Sequence, residues 1–179
     1  EASSPYKMSR EEAILTKMEN ELSLKQLQIT SLLNITQAIN ENLPQEELFN
    51  MYKSFLTWEL SIERLALFIR EEDNWLPVVT HDLDPDLDLS SLPNLFIKYN
   101  RLHTIKKTDS AKLQGFEFII PVYHKTEPIA YSLISGVKRG DQIFNNIQFI
   151  TSITNIVAVA IENKRLVRKQ IVQEKEWEL

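Results

Sequence analysis

Four aspartates at alternating positions are the first residues of this 179-residue sequence whose spacing could do chemistry. They are Asp82, Asp84, Asp86 and Asp88. Such spaced carboxylates are typical of a calcium-binding loop, which also needs a glycine at its sixth position and a glutamate at its twelfth. A loop that starts at Asp82 has Leu87 and Pro93 at those positions, and a start at Asp84 gives leucines. The pattern therefore predicts a solvated acidic loop and no metal site.

The three histidines do not form a recognisable catalytic or metal-binding motif. They are His81, His103 and His124. None has the close histidine partner that an HExxH zinc site requires. An enzyme that uses Asp82, His103 or Asp109 remains an alternative, although the sequence has neither a Gly-x-Ser-x-Gly nucleophile motif nor a glycine-rich phosphate loop. We expect no catalytic residue, no bound metal and no cofactor.

The amino-acid composition argues against several further classes of site and partner. The chain has no cysteine, which excludes disulfides, thiolate metal sites, cysteine nucleophiles and thioether-linked chromophores. A net charge of −5 argues against a nucleic-acid partner. The longest purely apolar run, 156–161, is far shorter than the roughly 20 residues that span a bilayer. We expect a cytoplasmic protein with no membrane contact by this fragment.

The elements that must position these groups begin with a long helix predicted over 144–179. Asn145 and Gln148 fit a capping box, and residues after Gly140 include neither glycine nor proline. Ile150, Ile153 and Val157 recur at helical spacing, and the face they form becomes charged beyond about 161. A helix of about 34 residues is roughly 50 Å long, so we expect its end to project beyond the domain.

The N-terminal part of the chain predicts a second long helix over 10–41. Ser9 and Glu12 fit another capping box. Apolar residues then follow a heptad frame that is interrupted at Lys25 and Thr36. They are Leu15, Met18, Leu22, Ile29, Leu32 and Ile39. An alternative is that both terminal helices pack only on their own domain.

The middle of the chain predicts an α+β domain with an antiparallel sheet and both terminal helices packed on one face. A helix is expected over 44–60, and strands over 63–70, 75–81, 103–106, 116–123 and 129–137. In the first strand Leu65 and Leu67 point to one side and Ala66 and Phe68 to the other, which indicates that both faces are covered. The irregular segment 82–113 is expected to include a short helix over 92–100.

Five segments in this order resemble a GAF domain, a small sensory module of bacterial signalling proteins. They are 33–39, 62–69, 119–122, 129–134 and 149–166. The resemblance implies a five- or six-stranded sheet with a ligand pocket on the face opposite the terminal helices, and parallel dimers that pass signals through continuous helices. It suggests a signalling and dimerisation helix over 1–30, a GAF-like sensor domain over 31–165 and a linker helix over 166–179.

The implied pocket lies between the sheet and 82–113. Tyr99, Arg101 and His103 there offer a stacking surface and two polar or charged groups, so we expect a small-molecule ligand near them. The segment is also basic, and its cations either face an anionic ligand or form a solvated surface. They are Lys98, Arg101, Lys106, Lys107 and Lys112. The residue set that binds cyclic nucleotides in GAF domains is not recognisable here, so the ligand stays unidentified.

Apolar residues on the projecting helices predict a parallel homodimer, because exposed apolar stripes are uncommon on soluble monomers. The expected interface residues are Leu15, Met18, Leu22, Ile29, Val167, Ile171 and Trp177. Residues 170–179 resemble the linker to a serine phosphatase of the protein phosphatase 2C class, so we expect a covalently linked output domain after Leu179. Input to a histidine kinase or a diguanylate cyclase, and a ligand-free dimer scaffold with a degenerate pocket, are the alternatives.

Overall fold

The computed structural model describes residues 5–178, and the side chains of 9–177. Residues 5–178 contain four α-helices: α1 (Pro5–Asn40), α2 (Gln45–Ser54), α3 (Pro93–Phe96) and α4 (Ile143–Glu178). Helix α2 continues into a π-helical turn at Phe55–Glu59, and short 3₁₀ turns lie at Leu89–Ser91 and Ala111–Leu113. The strands are β1 (Arg64–Glu71), β2 (Asn74–His81), β3 (His103–Thr104), β4 (Phe118–His124) and β5 (Glu127–Ser135).

The five strands form one antiparallel sheet in the order β2-β1-β5-β4-β3. Strand β1 lies inside the sheet, and its side chains alternate as its sequence predicts. Leu65 and Leu67 enter a core between the sheet and α1, α2 and α4, whereas Ala66 and Phe68 enter a second core under 82–113. The predicted fold class is therefore confirmed.

Helices α1 and α4 run in the same direction along the helix side of the sheet. Lys17 of α1 contacts Asp141 just before α4, and Asn42 just after α1 contacts Lys164 far along α4. About 12 residues of α1 precede the first contact and about 14 of α4 follow the second, which is roughly 20 Å of helix at each end. The two helices therefore project from opposite ends of the domain.

Helix α4 is also long and apolar enough to cross a bilayer, by length and composition alone. In this fold the apolar residues of α4 pack against the sheet. Ile150, Ile153 and Val157 are completely buried against the sheet. An apolar face of this kind is what packing onto a sheet requires, so the composition reflects the core of the domain.

The structure corrects both predicted helix starts. Helix α1 already includes Pro5, so Ser9 lies inside the helix. Helix α4 begins at Ile143, whose N–H donates to the carbonyl of Gly140. The Asn145 amide donates to the side chain of Gln142 at 2.8 Å and does not cap the helix. The prediction of a helix end at Leu179 lies outside the described residues.

The segment opposite the helices is less regular than predicted. The expected helix over 92–100 shortens to α3, and the expected strand over 103–106 shortens to β3. Strand β3 ends early because the N–H of Lys106 bonds the side chain of Asp109 instead of the neighbouring strand. Strand β4 begins at Phe118 and β5 ends at Ser135, where Gly136 turns the chain with a φ of 92°.

Candidate functional site

An aromatic cluster fills the place where the ligand pocket was predicted. It consists of Phe68, Trp75, Phe96 and Tyr131. The ring of Phe96 stacks on Tyr131 at 4.5 Å between centroids and meets Phe68 edge-on at 5.0 Å. Phe68, Phe96 and Tyr131 are all completely buried. Such offset and edge-on pairs contribute packing energy beyond their buried area, so this region is a solid second core.

Tyr131 fastens the irregular segment to the sheet. It lies on β5 opposite Phe68 of β1, and its hydroxyl donates to the carbonyl of Tyr99 at 2.8 Å. A longer contact of 3.3 Å reaches the carbonyl of Ile97. Burial raises the pKa of the Tyr131 phenol, so the hydroxyl stays a donor. The buried phenol therefore closes the space below α3.

The structure brings Tyr99 and His103 together around a residue that was not predicted to join them. Their rings stack at 3.9 Å, and both side chains contact Asp109. The Asp109 carboxylate accepts the N–H of Lys106 at 2.7 Å, bonds His103 Nε2 at 2.9 Å and accepts the Tyr99 hydroxyl at 3.2 Å. The Lys106 N–H, followed by His103, lowers the pKa of Asp109 to about 2. We call Tyr99, His103 and Asp109 the loop clasp.

The loop clasp uses the groups that were predicted to hold a ligand. The face of Tyr99 that was expected to stack on a ligand stacks on His103, and Lys98 lies 5.1 Å from the Tyr99 ring centre. Arg101 is exposed, and no hydrogen bond or ion pair joins it to the described residues. Sequence spacing missed Asp109 as an anchor because a turn that folds back onto its own loop has no periodicity.

The basic and acidic residues around the clasp lie at the surface. Lys98, Arg101, Lys106, Lys107 and Lys112 are exposed. In the acidic loop, Asp84 accepts the N–H of Asp86 at 3.0 Å, and Asp88 accepts the N–H and hydroxyl of Ser90. These bonds are local turn and cap interactions. Within residues 5–178 no group of three acidic or histidine side chains is placed to hold a metal ion.

The helix side of the sheet contains a buried hydroxyl network. Tyr52 of α2 bonds Ser132 of β5 at 2.9 Å and Thr154 of α4 at 2.8 Å, and Thr154 also donates to the carbonyl of Ile150 at 2.6 Å. All three hydroxyl side chains are completely buried. Burial raises the pKa of Tyr52 to about 12. The network joins α2, the sheet and α4, and it fixes the position of α4 relative to β5.

The predicted interface residues of α1 form an exposed stripe. Leu15, Met18, Leu22 and Ile29 expose 55–61% of their surface. The face of α1 that packs on the core includes Ile35 and Ala38, and its centre lies about 140° around the helix from the stripe at 100° per residue. Two residues of the predicted heptad frame, Leu32 and Ile39, instead pack against the helix-side core. Leu33, at 64% exposure, continues the stripe in place of Leu32.

The predicted interface residues of α4 are exposed but do not form one stripe. Val167 and Ile171 are one turn apart and expose 55% and 45% of their surface. Trp177 exposes 90%, and it lies roughly 100° around the helix from these two residues. Leu166 at 41% and Val172 at 55% are also exposed, and sequence reasoning did not include them. The projecting end of α4 therefore has apolar residues on more than one face.

Comparisons with known proteins identify the fold. No family model and no curated protein matches this sequence. A GAF domain from A. aeolicus in an inactive state is 16% identical, with a TM-score of 0.61, and covers 79% of this chain and 99% of its own. A GAF domain from an Acinetobacter phosphoenolpyruvate-protein phosphotransferase is 12% identical, with a TM-score of 0.56, and covers 78% of this chain and 95% of its own.

A third solved structure is the phycoerythrobilin-bound GAF domain from a cyanobacterial phytochrome. It is 12% identical, with a TM-score of 0.52, and covers 80% of this chain and 99% of its own. Identities this low establish the fold alone. Together with the sheet order and the helices on one face, they show that this chain has the GAF fold.

Proposed function

We propose that this GAF-fold chain is a non-catalytic signalling module of a bacterial, cytoplasmic protein. It forms a parallel homodimer through its two long helices and relays a conformational change from α1 to an output domain that follows α4. The observation that supports this most is the helix pair. Each helix has 36 residues, roughly two thirds of each lies along the domain, and the projecting ends present exposed apolar residues at opposite ends of the domain.

Dimerisation follows from the exposed stripe of α1. Its residues lie on a different face from those that pack on the domain, so folding of one chain leaves them in water. Burying one leucine side chain contributes about 1.5–3 kcal/mol, and a parallel pair of α1 helices buries several from each chain. The parallel arrangement also places the two α4 ends side by side, as the relay to paired output domains requires.

A ligand in the interior opposite the helices is not part of this proposal. The aromatic cluster occupies that space, and the loop clasp uses Tyr99 and His103 internally. The signal would therefore enter through α1 from whatever precedes it. The filled interior also favours the second candidate, a ligand-free dimer scaffold that transmits nothing. The two differ in whether a change at α1 alters α4.

The output domain that we favour is a serine phosphatase of the protein phosphatase 2C class, on the resemblance of residues 170–179. The similar structures come from proteins with different activities, a phosphotransferase and a phytochrome among them, so they do not choose the output. A histidine kinase or a diguanylate cyclase fits the same helix. The sequence that follows Leu179 in the parent gene distinguishes the three.

Sedimentation velocity at micromolar concentration tests the dimer. The variant Leu15→Glu/Leu22→Glu should sediment as a monomer, because four carboxylates would meet at the seam of the two α1 helices. The control is Ser23→Glu/Thr30→Glu, which adds the same charge to exposed positions of α1 roughly 90° or more from the centre of the stripe. We expect the control to remain dimeric. A wild-type monomer, or two variants that behave alike, would exclude the proposed interface.

A further inference from the structure

We propose that Lys164 is the positioning residue that couples the end of α1 to α4. Its ammonium group bonds the C-terminal cap of α1 at the point where α4 leaves the domain. The inference rests on the proposed relay and names the contact through which the relay passes. It concerns a contact within one chain, so it can be tested separately from dimerisation.

The end of α1 has a defined cap. The N–H of Leu43 donates to the carbonyl of Ala38 at 3.1 Å, and the N–H of Asn42 donates to the carbonyl of Ile39 at 3.0 Å. This pair of bonds is the Schellman motif. Asn42 has a φ of 55°, a left-handed conformation that asparagine adopts more readily than most residues. The cap therefore fixes the Asn42 amide and the Leu43 carbonyl at one place.

Lys164 binds both of these groups. Its Nζ donates to Asn42 Oδ1 at 3.0 Å and to the carbonyl of Leu43 at 2.5 Å. The carbonyl ends of a helix carry partial negative charge, so a cation is favoured beside them. Lys164 is half-buried, which reduces solvent screening of the interaction. One side chain of α4 thus holds the cap of α1 in its folded form.

A second polar contact of α1, at the opposite end of the paired helices, is weaker. Lys17 pairs with Asp141 at 2.8 Å, but 61% and 76% of these side chains are exposed. Exposed ion pairs contribute little and are screened by salt. Asp141 also precedes α4, so this pair holds α1 to a loop. The Lys164 contact is direct, has two hydrogen bonds, and lies on the turn of α4 before Val167.

The position of Lys164 is fixed from the α4 side as well. The adjacent Arg165 makes two bonds to the buried carboxylate of Glu162, at 2.6 Å and 3.0 Å. These bonds lower the pKa of Glu162 and keep it charged. The turn 162–165 is therefore ordered. A change that unwinds the cap of α1 removes both acceptors of Lys164, and by reciprocity a change at this turn of α4 must alter the cap.

Amide hydrogen exchange of the full chain, followed by NMR, tests the contact. Lys164→Met should increase the exchange rates of the Asn42 and Leu43 amides by about five- to tenfold, because their cap loses its cation. The matched control Lys169→Met removes a charge from an exposed position on the same helix, and we expect it to leave these rates unchanged. Lys164→Arg should retain protection. The amide of Leu67 in β1 exchanges by global unfolding, so its rate measures the accompanying change in overall stability.

A second variant tests transmission, which a merely local role would not show. Arg168→Gly weakens the helical bond from the Arg168 N–H to the carbonyl of Lys164. In the wild-type background it should increase exchange at Asn42 and Leu43 severalfold, and in the Lys164→Met background it should add nothing. Equal effects in both backgrounds, or unchanged rates in Lys164→Met, would overturn the proposal. The same exchange measurement on Leu15→Glu/Leu22→Glu shows whether the Lys164 contact persists when the α1 helices do not pair. Failure of the contact is thereby distinguished from failure of the proposed dimer.

Discussion

The two faces of the sheet are held together in different ways. On β5 the neighbouring residues Tyr131 and Ser132 point to opposite faces. Tyr131 joins an aromatic cluster and bonds backbone carbonyls of a loop, whereas Ser132 joins side-chain hydroxyls from two helices. On the loop face, which is covered by 82–113, the side chains pack and bond among themselves. On the helix face, α1 and α4 extend beyond the domain. The relay that we propose would therefore use the helix face.

The largest expected effect comes from emptying the aromatic cluster. Phe96→Ala should lower the free energy of unfolding by about 3–5 kcal/mol, because the ring is completely buried and leaves a cavity. Urea unfolding at neutral pH measures it. Ile97→Ala is the neighbouring control, since Ile97 is 45% exposed and should cost far less. Benzene should raise the melting temperature of Phe96→Ala and not of the wild type, since apolar cavities bind such ligands.

A smaller effect is expected on the helix face. Tyr52→Phe should lower the free energy of unfolding by about 1–3 kcal/mol, because the Ser132 hydroxyl loses its buried partner. The triple change Tyr52→Phe/Ser132→Ala/Thr154→Val removes all three hydroxyls. It should cost less than the sum of the single changes, because no polar group is left unpaired. Denaturant unfolding of the wild type, the three single variants and the triple variant checks this, and strict additivity would show that the hydroxyls do not act as a network.

The loop clasp should respond to acid. Because the pKa of Asp109 is lowered to about 2 in the folded chain, its stabilisation is present above the ordinary value of 3.8 and lost as the pH falls from there toward 2. Asp109→Asn should therefore be less stable than the wild type at pH 6, and the difference should shrink between pH 4 and 2. Unfolding curves across this range measure it. A difference that does not change with pH would mean that the charge of Asp109 is not what holds the loop.

The smallest effect is expected at Arg101. Its side chain is exposed and makes no bond to the described residues, so Arg101→Ala should leave the melting temperature unchanged. The same variant sharpens the comparison of the two faces. A small molecule that raises the melting temperature of the wild type but not of Arg101→Ala would restore a ligand site on the loop face, since a ligand of the folded state must stabilise it.

The sheet was predictable because periodicity encodes it. Strand β1 alternates between two apolar sets, and a strand covered on both faces needs that pattern. The helix starts were not predictable from the sequence, because Ser9 and Asn145 each fit a capping pattern that the folded chain does not use. The filled interior escaped prediction for another reason. Phe68, Phe96 and Tyr131 come from three separate segments, and no spacing in the sequence shows that their rings meet.

The structure places Tyr99 and His103 in contact with each other, and their predicted role in ligand binding stays a prediction. Two side chains that can stack on a ligand can also stack on each other, and the sequence does not distinguish the two. The exposed stripe of α1 was recovered more fully, because exposure on a helix follows directly from its period. Even there, Leu32 and Leu33 exchange places, since the helix turns by 100° per residue and a heptad frame drifts along it.

The uninterrupted course of α4 through and beyond the domain has a consequence for how parts can be joined to it. With neither glycine nor proline after Gly140, the helix transmits angular phase as well as position. One residue inserted after Val167 would rotate everything downstream by about 100° and advance it by about 1.5 Å, whereas seven residues would return it to within roughly 20°. Fusions of this module to a foreign output domain should therefore be interchangeable in steps of seven residues and mismatched in between.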